Sequence, residues 1–474
     1  MAFKDLRGFI RRLEDVGELA RVAAPVDPVL EIAEITDRIS KSPSGGKALF
    51  FENVRGSDFP VVTNIFGSPR RICLALGVDE PDDLARLMEG LLASLPAGPN
   101  VDGINEMSFI PEFSRFAPRE VADGHCREVV ESRTDLERFP VLKNFAGDGG
   151  PDRDGRFITL PLVITRDPDT GSQNCGIYRV EVIGKDRLCI HWRDTSGGAG
   201  HWRKYLERGE RMPVAVALGG DPATIFAAAS PIPESVDEMT FAGFLRGEAV
   251  TLLGSLTNDL KVPAEAEMVA EGFIEPGETC LGGAFGNHTG FYDPPRTVPV
   301  MRIECITRRR DVIYPATVVG RPPMEDCWLA KAWERILLPM IRLELPAVID
   351  INMPLEGIFH GCAIVAVEKE GADTPRRVME AVWRGRLLGN ARLLVVVDAG
   401  TDVRDLSLVA WKVINLVDWG KDMTVENSLP SPRIGLDATI KSRFHRGEGA
   451  CPEEITRGAS LMEMVDKRWR EFGF

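Results

Sequence analysis

The 474-residue chain has no apolar run long enough to cross a membrane and no closely spaced pair of cysteines. A membrane-spanning helix needs about 20 apolar residues, but the most apolar stretch, residues 214–229, is interrupted by Gly219, Gly220, Asp221 and Pro222. The N-terminal residues also lack the apolar core of a signal peptide. The nine cysteines are scattered singly, so we expect reduced thiols and no disulfide framework. These absences predict a cytoplasmic protein without a membrane segment.

An excess of basic residues is missing as well. The chain carries 57 Lys and Arg against 71 Asp and Glu, which gives a net charge of −14. This balance argues against a dedicated nucleic-acid-binding protein, which usually presents a basic face. It leaves an anionic small molecule open as a ligand, because a local arginine cluster can override the global sign.

The pattern of apolar residues predicts a multidomain α/β protein. The length suggests about three domains. Most of the runs between residues 157 and 319 are β-branched and strand-like, and a helix is expected at 329–343, which Pro339 should bend or end. From residue 363 to 416 the order is β-α-β-α, which favours an α/β C-terminal domain. The glycine-rich segment 147–155 is either a linker or a mobile loop beside a site.

Residues 174–193 are predicted to form a β-hairpin that turns at residues 184–186. Centring the turn on Lys185 places Arg179 opposite His191. One face, which we call the Arg179 face, then carries Arg179, Glu181, Arg187, Cys189 and His191. The other, the Tyr178 face, carries Tyr178, Val180, Val182, Leu188, Ile190 and Trp192 and should be core. The Arg179 face is either a solvated outer surface or a site for an anion or a metal. The glycine-rich residues 195–200 that follow offer backbone N–H groups to a phosphate.

Seven motifs in this order resemble the UbiD family of prenylated-FMN-dependent decarboxylases, and together they span nearly the whole chain. They are Asn174-x-Gly-Ile-Tyr-Arg179 with His191-Trp192-Arg193, Pro231-Ile-Pro233 with Asp237-Glu238, Phe241 to Gly247, Leu256 to Leu260, Val262 to Ala264, Phe285 to Tyr292, and Gly320 to Asp326.

The resemblance implies a fold and partners. It implies an N-terminal α/β domain (1–115), a split β-barrel flavin-binding domain (116–322), a linker helix (323–345) and a C-terminal α/β oligomerisation domain (346–474). It also implies a homodimer or higher homo-oligomer, a flavin prenyltransferase that supplies the cofactor, and a small carboxylic acid as substrate.

The activity implied is the non-oxidative, reversible decarboxylation of an aromatic, heteroaromatic or α,β-unsaturated acid through a covalent adduct with prenylated FMN. Arg179 would bind the substrate carboxylate. A Mn²⁺ ion would be held by Asn174, His191 and Glu238, and a K⁺ ion by backbone oxygens near residues 228–230. The residues that match cofactor-binding positions are Asn174, Ile177, Tyr178, Arg179, His191, Trp192, Arg193, Glu238 and Lys421.

The chain departs from the family pattern at both expected acids. The family reads E-G-P-F-G-[ED], whereas this chain has Gly282 and Asn287 at the two acidic positions. Three alternatives follow: another proton donor, for which His288, Glu278 and water are candidates; a substrate that needs less acid help; or a non-catalytic subunit of a multi-subunit (de)carboxylase. The candidate catalytic residues are therefore Arg179, Asn287, His288 and Glu278.

Overall fold

The computed structural model describes residues 3–94, 111–150, 153–358, 360–385, 388–427, 432–441, 455 and 458–473. The N-terminal part packs four helices on a four-stranded sheet. The helices span Leu6–Asp15, Glu31–Ser40, Pro69–Leu76 and Asp82–Ala93. The strands, in sheet order, span Leu19–Val22, Ala48–Phe51, Val61–Thr63 and Tyr314–Pro315. The last of these strands returns from the end of the middle part of the chain, so it ties the two parts together.

The middle part is built on a nine-stranded sheet, which confirms the β-rich prediction. Its main path, in sheet order, runs through Phe157–Ile158, Arg179–Val182, Arg187–His191, Arg296–Arg308, Ala266–Gly282, Met212–Gly219, Pro161–Arg166 and Gln173–Gly176, and Val129–Glu131 pairs with the long strand Arg296–Arg308. A small sheet formed by Lys261–Pro263, Thr251–Gly254 and Arg119–Glu120 lies apart from it.

The nine-stranded sheet curls towards a barrel. Strand Gln173–Gly176 lies at one margin of the sheet, and strand Arg179–Val182 lies next to the other margin. Only residues 177 and 178 join them, and three Cα–Cα steps of 3.8 Å span at most about 11 Å. The two margins must therefore approach each other, which is the split-barrel architecture expected from the sequence.

Three helices are inserted between the strands of this sheet. They span Gly197–Arg208, Pro222–Ala229 and Glu238–Arg246. Asp221 caps the second helix by accepting from the N–H groups of Ala223 and Thr224, as predicted. Asp237 caps the third through the N–H of Thr240, and this cap places Glu238 in the first helical turn.

The long helix Glu325–Glu344 leads into the C-terminal part and corrects the expectation that Pro339 ends it. Pro339 lies inside the helix, where it removes one backbone hydrogen bond. The helix packs against Asp82–Ala93 and against strand Val348–Asn352, and this burial on two sides holds it continuous.

The C-terminal part alternates strands and helices, as predicted. Its five-stranded sheet has the order Val348–Asn352, Cys362–Val367, Leu393–Asp398, Arg433–Asp437 and Met423–Glu426, and the three central strands are parallel. Helices Thr374–Arg384 and Leu406–Leu416 follow the second and third strands. A short helix, Ala459–Arg468, lies near the C-terminus.

One cysteine pair differs from the expectation of reduced thiols. Cys189 and Cys280 form a disulfide between two strands of the nine-stranded sheet that flank the long strand Arg296–Arg308. Their separation of 91 residues gives no signal in the sequence. The other cysteines in the described part of the chain are free thiols.

Candidate active site

The predicted hairpin forms with the predicted register over residues 179–191, whereas residues 174–176, at the start of the predicted hairpin, pair instead with strand Pro161–Arg166. Arg179 pairs with His191 and Glu181 with Cys189 across two antiparallel strands. On the Tyr178 face, Val180, Leu188 and Ile190 are fully buried. The Arg179 face is not solvated at the His191 end, because Glu181 is fully buried and the His191 side chain is 7% exposed. The alternative of a solvated outer face is therefore excluded for this end of the hairpin.

Arg179 is held in a three-residue cluster. Its Nη1 donates to Oδ2 of Asp293 at 2.8 Å, and its Nη2 donates to Oδ1 of Asn287. The amide Nδ2 of Asn287 donates to the same Asp293 oxygen at 2.7 Å. The guanidinium also lies over the Phe285 ring, 4.4 Å from its centroid. A small hairpin that pairs Phe285 with Asp293 brings these groups together.

Asp293 is a site residue that the sequence analysis missed. It directly follows Tyr292, where the last quoted residue of its motif stands. The only indication of a site residue in the sequence was an acid directly after this motif. Nothing in the linear sequence shows that its side chain contacts Arg179. The structure thus puts a carboxylate on the arginine even though the expected acid position is occupied by Asn287.

Further arginines surround this cluster. Burial, together with the nearby guanidiniums of Arg193 and Arg296, lowers the pKa of Arg179 to about 10, although Asp293 acts in the opposite direction. Arg179 therefore stays charged at neutral pH and can bind a carboxylate.

Gly282, the other departure from the family pattern, lies directly against His191. A β-carbon at this position would lie 2.7 Å from Cε1 and 2.8 Å from Nε2 of His191. The imidazole thus fills the space beside Gly282 and excludes any larger residue there. It also packs edge-on against the Phe157 ring, with the ring centroids 5.6 Å apart.

Glu181 is the buried acid of the Arg179 face. Its Oε2 accepts from the backbone N–H of Gly283 at 2.8 Å and from Arg153 at 3.2 Å, and it lies 3.6 Å from Nε2 of His191. Burial alone raises the pKa of Glu181, but the neighbouring His191, Gly283 and Arg153 together hold it below its usual value. This carboxylate is therefore ionised at neutral pH and lies beside the imidazole.

The Tyr178 face meets the N-terminus of helix Gly197–Arg208. Nδ2 of Asn174 donates to the Tyr178 hydroxyl at 3.3 Å. A β-carbon on Gly197 would lie 2.3 Å from Oδ1 of Asn174, and one on Gly198 would lie 2.4 Å from Nε1 of Trp192. The first turn of the helix therefore needs glycine at both positions. The Ser196 hydroxyl accepts from the N–H of Ala199, and a helix N-terminus of this kind can bind an anion.

Glu238 lies near Cys175, the residue that follows Asn174. Its Oε2 accepts from the backbone N–H of Cys175 at 3.1 Å. Burial raises the pKa of Glu238 to about 8, although the hydrogen bond from Cys175 acts in the opposite direction. A nearby cation would stabilise the carboxylate form of this acid further.

The described contacts of Asn174 and Glu238 differ from those of His191. Asn174 and Glu238 share Tyr178 and Cys175 as neighbours, whereas the described contacts of His191 are with the Arg179 face. In the described part of the chain, no group of three or more His, Cys, Asp or Glu side chains is arranged to hold a metal ion.

His288 lies between the middle and C-terminal parts of the chain. Its ring meets His360 edge to face, with the centroids 5.2 Å apart. Burial, together with Arg179, His360 and Arg193, lowers the pKa of His288 to about 3. The imidazole is therefore neutral at neutral pH, so it can donate a hydrogen bond but is not charged to act as an imidazolium acid.

The other predicted site residues occupy different places. Glu278 lies on strand Ala266–Gly282, two residues before Cys280 and four before Gly282. It forms a bidentate ion pair with Arg302, and none of its described contacts is with Arg179. Lys421 is 70% exposed and pairs with Asp418 in the C-terminal part. The backbone N–H of Ile177 donates to the carbonyl of Ala228, one of the oxygens expected for K⁺.

The described residues of the glycine-rich segment, 147–150 and 153–155, lie in loops beside the site. Gly149 donates its backbone N–H to the carbonyl of Ala284, and Asp148 accepts from the N–H of Gly286. A cavity of about 760 Å³ lies next to this region, with Phe145, Asn287 and Arg321 in its wall.

Three family models match the chain in order. The UbiD_N model, the 3-octaprenyl-4-hydroxybenzoate carboxy-lyase N-terminal domain, matches residues 10–91. The UbiD model, described as the Rift-related domain of the same carboxy-lyase, matches residues 119–322, and the UbiD_C model of its C-terminal domain matches residues 327–438. No helix in the described part of the chain is both long and apolar enough to cross a bilayer.

Relatives match over the full length. An uncharacterized protein of Archaeoglobus fulgidus is 42% identical, and one of Aquifex aeolicus is 36% identical, each with 99% of both chains covered. Among solved structures, an evolved dimeric form of the UbiD-class enzyme HmfF from Pelotomaculum thermopropionicum, in complex with prFMN, is 28% identical with a TM-score of 0.82, and 98% of this chain and 100% of that chain are covered.

A second solved structure agrees in fold. Vanillic acid decarboxylase of Sedimentibacter hydroxybenzoicus, in closed form, has a TM-score of 0.84 at 24% identity, with 100% of this chain and 99% of that chain covered. With three family models in sequence order, full-length relatives and the same half-barrel architecture, the chain belongs to the UbiD family of carboxy-lyases.

Proposed function

We propose that this protein is a prenylated-FMN-dependent decarboxylase that acts reversibly on an aromatic, heteroaromatic or α,β-unsaturated carboxylic acid. The observation that carries the proposal is the Arg179 cluster. A buried, charged guanidinium is held by Asn287 and Asp293 and keeps the geometry to dock a carboxylate.

The Tyr178 face fits the phosphate end of a flavin nucleotide. The glycine helix N-terminus offers backbone N–H groups, and Nε1 of Trp192 is buried without a hydrogen-bond partner within the described residues. Asn174, Ile177, Tyr178 and Trp192 would hold this end. The bound cofactor would supply an electron sink for the electron pair left on the substrate when carbon dioxide departs.

A divalent cation such as Mn²⁺ would sit between this phosphate and the protein. Asn174 and Glu238 offer hard oxygen ligands of the kind that such an ion prefers, and they lie near each other through Cys175. We leave His191 out of this proposed ligand set because it belongs to the Arg179 face. On that face, beside Gly282, His191 would help to orient the substrate.

Asp293 would carry the proton in place of the acids missing from positions 282 and 287. Its Oδ2 lies within hydrogen-bond distance of both Arg179 and Asn287. Arg179 would bind the substrate carboxylate. After carbon dioxide leaves, Asp293, whose side chain is half exposed, would take up a proton from water and pass it to the carbon that remains. Asn287 would hold Asp293 in place, since an amide can donate to one partner and accept from another.

This cluster favours an active enzyme over a non-catalytic subunit, because a carboxylate does contact the arginine. We further propose that the chain forms a homodimer or higher homo-oligomer and receives its cofactor from a flavin prenyltransferase.

The test is turnover by the chain alone. Protein produced together with a flavin prenyltransferase is purified. Candidate acids are assayed for carbon dioxide release, and their decarboxylated products are assayed for deuterium exchange in D₂O at the carbon that carried the carboxyl group. We expect activity in the wild type and a loss of about 100-fold in Arg179→Gln, because a charge-assisted pair contributes about 1.5–3 kcal/mol. Cofactor content should be equal in both proteins. Full exchange activity in Arg179→Gln would refute the assignment.

A further inference from the structure

A cavity of about 960 Å³, which we call the arginine cavity, lies beside the turn of the hairpin, with Gly184 in its wall. Three guanidinium groups line it, those of Arg153, Arg156 and Arg187. Cys280 lines it as well and is partly exposed. A molecule in the cavity can therefore reach the Cys280 half of the disulfide.

Two arginines of the cavity have no anionic partner. Within the described residues, the side chains of Arg156 and Arg187 form no hydrogen bond or ion pair. The wall also holds Glu137 and Asp154, but Glu137 is paired with Lys185 at 3.4 Å. The two arginines thus face one remaining carboxylate, so the cavity favours an anionic ligand.

The two sulfur atoms of the disulfide differ in access and surroundings. Cys189 is fully buried, whereas Cys280 is partly exposed. Nη1 of Arg153 donates to Sγ of Cys189 at 3.8 Å and to Oε2 of Glu181 at 3.2 Å. This guanidinium offsets the charge of Glu181 and stabilises negative charge on the Cys189 sulfur. Thiol–disulfide exchange depends on which sulfur can be reached and which leaves, so attack at Cys280 with Cys189 as the leaving group is favoured.

The disulfide lies next to the Arg179 face of the candidate active site. Cys189 is two residues before His191 on its strand, and the His191 imidazole packs against Gly282. Cys280 is two residues before Gly282 on its own strand. The oxidation state of the cysteine pair therefore decides whether these two strands are covalently linked beside the contact between His191 and Gly282.

We infer that the arginine cavity is a thiol-exchange site, at which a small thiol that carries a carboxylate reduces the Cys189–Cys280 disulfide. Arg156 and Arg187 hold the carboxylate, because the guanidinium fork matches its two oxygens. This site is separate from the proposed decarboxylation and does not depend on it.

The exchange takes place in two steps. The thiolate of the small molecule attacks Sγ of Cys280, the bond between the two cysteines breaks, and Cys189 leaves as a thiolate that takes a proton from water. A second small thiol then attacks the sulfur of the first in the mixed disulfide and releases Cys280. Two small thiols are thereby oxidised to one small disulfide, and their two electrons and two protons are balanced by the two cysteine thiols that form.

The test compares two thiols that differ only at their far end, 3-mercaptopropionate and 3-mercaptopropan-1-ol. Cofactor-loaded protein purified without a reductant is treated with each thiol, and loss of the disulfide-linked peptide is followed by mass spectrometry. Each rate is divided by the rate of the same thiol with bis(2-hydroxyethyl) disulfide, which corrects for its reactivity. The proteins are the wild type, Arg187→Gln and the control Arg203→Gln, whose arginine is exposed on helix Gly197–Arg208.

We expect 3-mercaptopropionate to react about tenfold faster than the neutral thiol in the wild type, since a cleft of one charge sign raises encounter rates by about 10- to 10³-fold. The net charge of −14 would by itself repel an anion, so a faster rate reports local attraction. Arg187→Gln should lower the ratio about threefold, half of the effect of two arginines on a logarithmic scale. Arg203→Gln should keep the ratio.

A second pair of variants identifies the sulfur that is attacked. Cys189→Ala and Cys280→Ala each leave one member of the pair as a thiol, and both are treated with 3,3′-dithiodipropionate, the oxidised form of the acidic thiol. Cys280 should form a mixed disulfide in Cys189→Ala, whereas Cys189 should remain a thiol in Cys280→Ala. The opposite pattern would overturn the inference.

Three further outcomes would overturn it. The first is free thiols at both positions in protein purified without a reductant, and the second is equal corrected rates for the two thiols in the wild type. The third is an equal change of the ratio in Arg187→Gln and Arg203→Gln, because the rate would then follow the total charge and not the cavity.

Discussion

Arg179 and Asp293 are joined by a hydrogen bond of 2.8 Å although 114 residues separate them in the chain. This pair restores at position 293 a carboxylate that the family pattern places at 282 or 287. The two departures from the pattern are therefore linked: Gly282 makes room for His191, and Asn287 holds Asp293.

Asp293→Asn should lower kcat by about 10²–10⁴-fold, the usual contribution of a positioned acid. The substitution keeps the shape of the side chain, so cofactor loading should be unchanged. Steady-state kinetics beside flavin absorbance would measure both. Asp259→Asn is the matched control, since Asp259 pairs with Arg166 at an exposed position. A near wild-type kcat in Asp293→Asn would remove Asp293 from the proton path.

Asn287→Glu should lower activity by about tenfold or more. The amide donates to Oδ2 of Asp293 at 2.7 Å, whereas a glutamate there would set two like charges side by side and compete for Arg179. The comparison is kcat/KM of the variant against wild type at equal cofactor content. An increase in turnover would instead favour the non-catalytic subunit, because the restored acid would then be rescuing a lost function.

Gly198→Ala should weaken flavin binding by about fivefold or more, because a β-carbon there would collide with Trp192 at the anion-binding helix end. Gly200→Ala is the control, since no atom lies within 4 Å of a β-carbon at that position of the same helix. FMN titration of the apoproteins would compare the two. Equal losses in both variants would show that the helix N-terminus does not hold the cofactor.

Glu238→Gln should reduce bound manganese, whereas His191→Gln should retain it. The reason is that Glu238 shares neighbours with Asn174, while His191 lies against Gly282 on the other face. Metal analysis of dialysed proteins would decide the matter. Loss of manganese in His191→Gln would return His191 to the ligand set that the family resemblance implies.

His288 should destabilise the protein as the pH drops below about 6.5. An unfolded histidine binds a proton near that pH, but folded His288 does so only near pH 3. The contribution of His288 to the free energy of unfolding therefore decreases by up to about 1.4 kcal/mol per pH unit in this window. Urea unfolding of the wild type and of His288→Asn from pH 7 to 5 would measure it: the stability of the wild type relative to the variant should decrease as the pH falls, and a constant difference would contradict the prediction.

The hairpin could be predicted because its faces and register follow from alternation about a single turn. The caps at Asp221 and Asp237 are equally local, so the helices they begin could be predicted too. The Arg179–Asp293 contact, the Cys189–Cys280 disulfide and the neighbourhood of His191 depend on which strands become neighbours in the curled sheet. No local pattern encodes those approaches. At Pro339 a local pattern gave the wrong expectation. Proline usually ends a helix, but here the packing of helix Glu325–Glu344 on both sides keeps the helix continuous.

The two faces of the Tyr178–Trp192 hairpin divide the work of the site by parity. At the open end of the hairpin, Tyr178 and Trp192 would face the proposed cofactor anchor and Arg179 and His191 would face the reacting acid, whereas Val180, Leu188 and Ile190 pack in the core. Substitutions at Arg179 and His191 should thus change substrate preference without releasing the flavin. A library of variants at these positions would test new substrates while cofactor binding is kept. A one-residue deletion in the turn at 184–186 would exchange the faces of one strand and abolish both roles together.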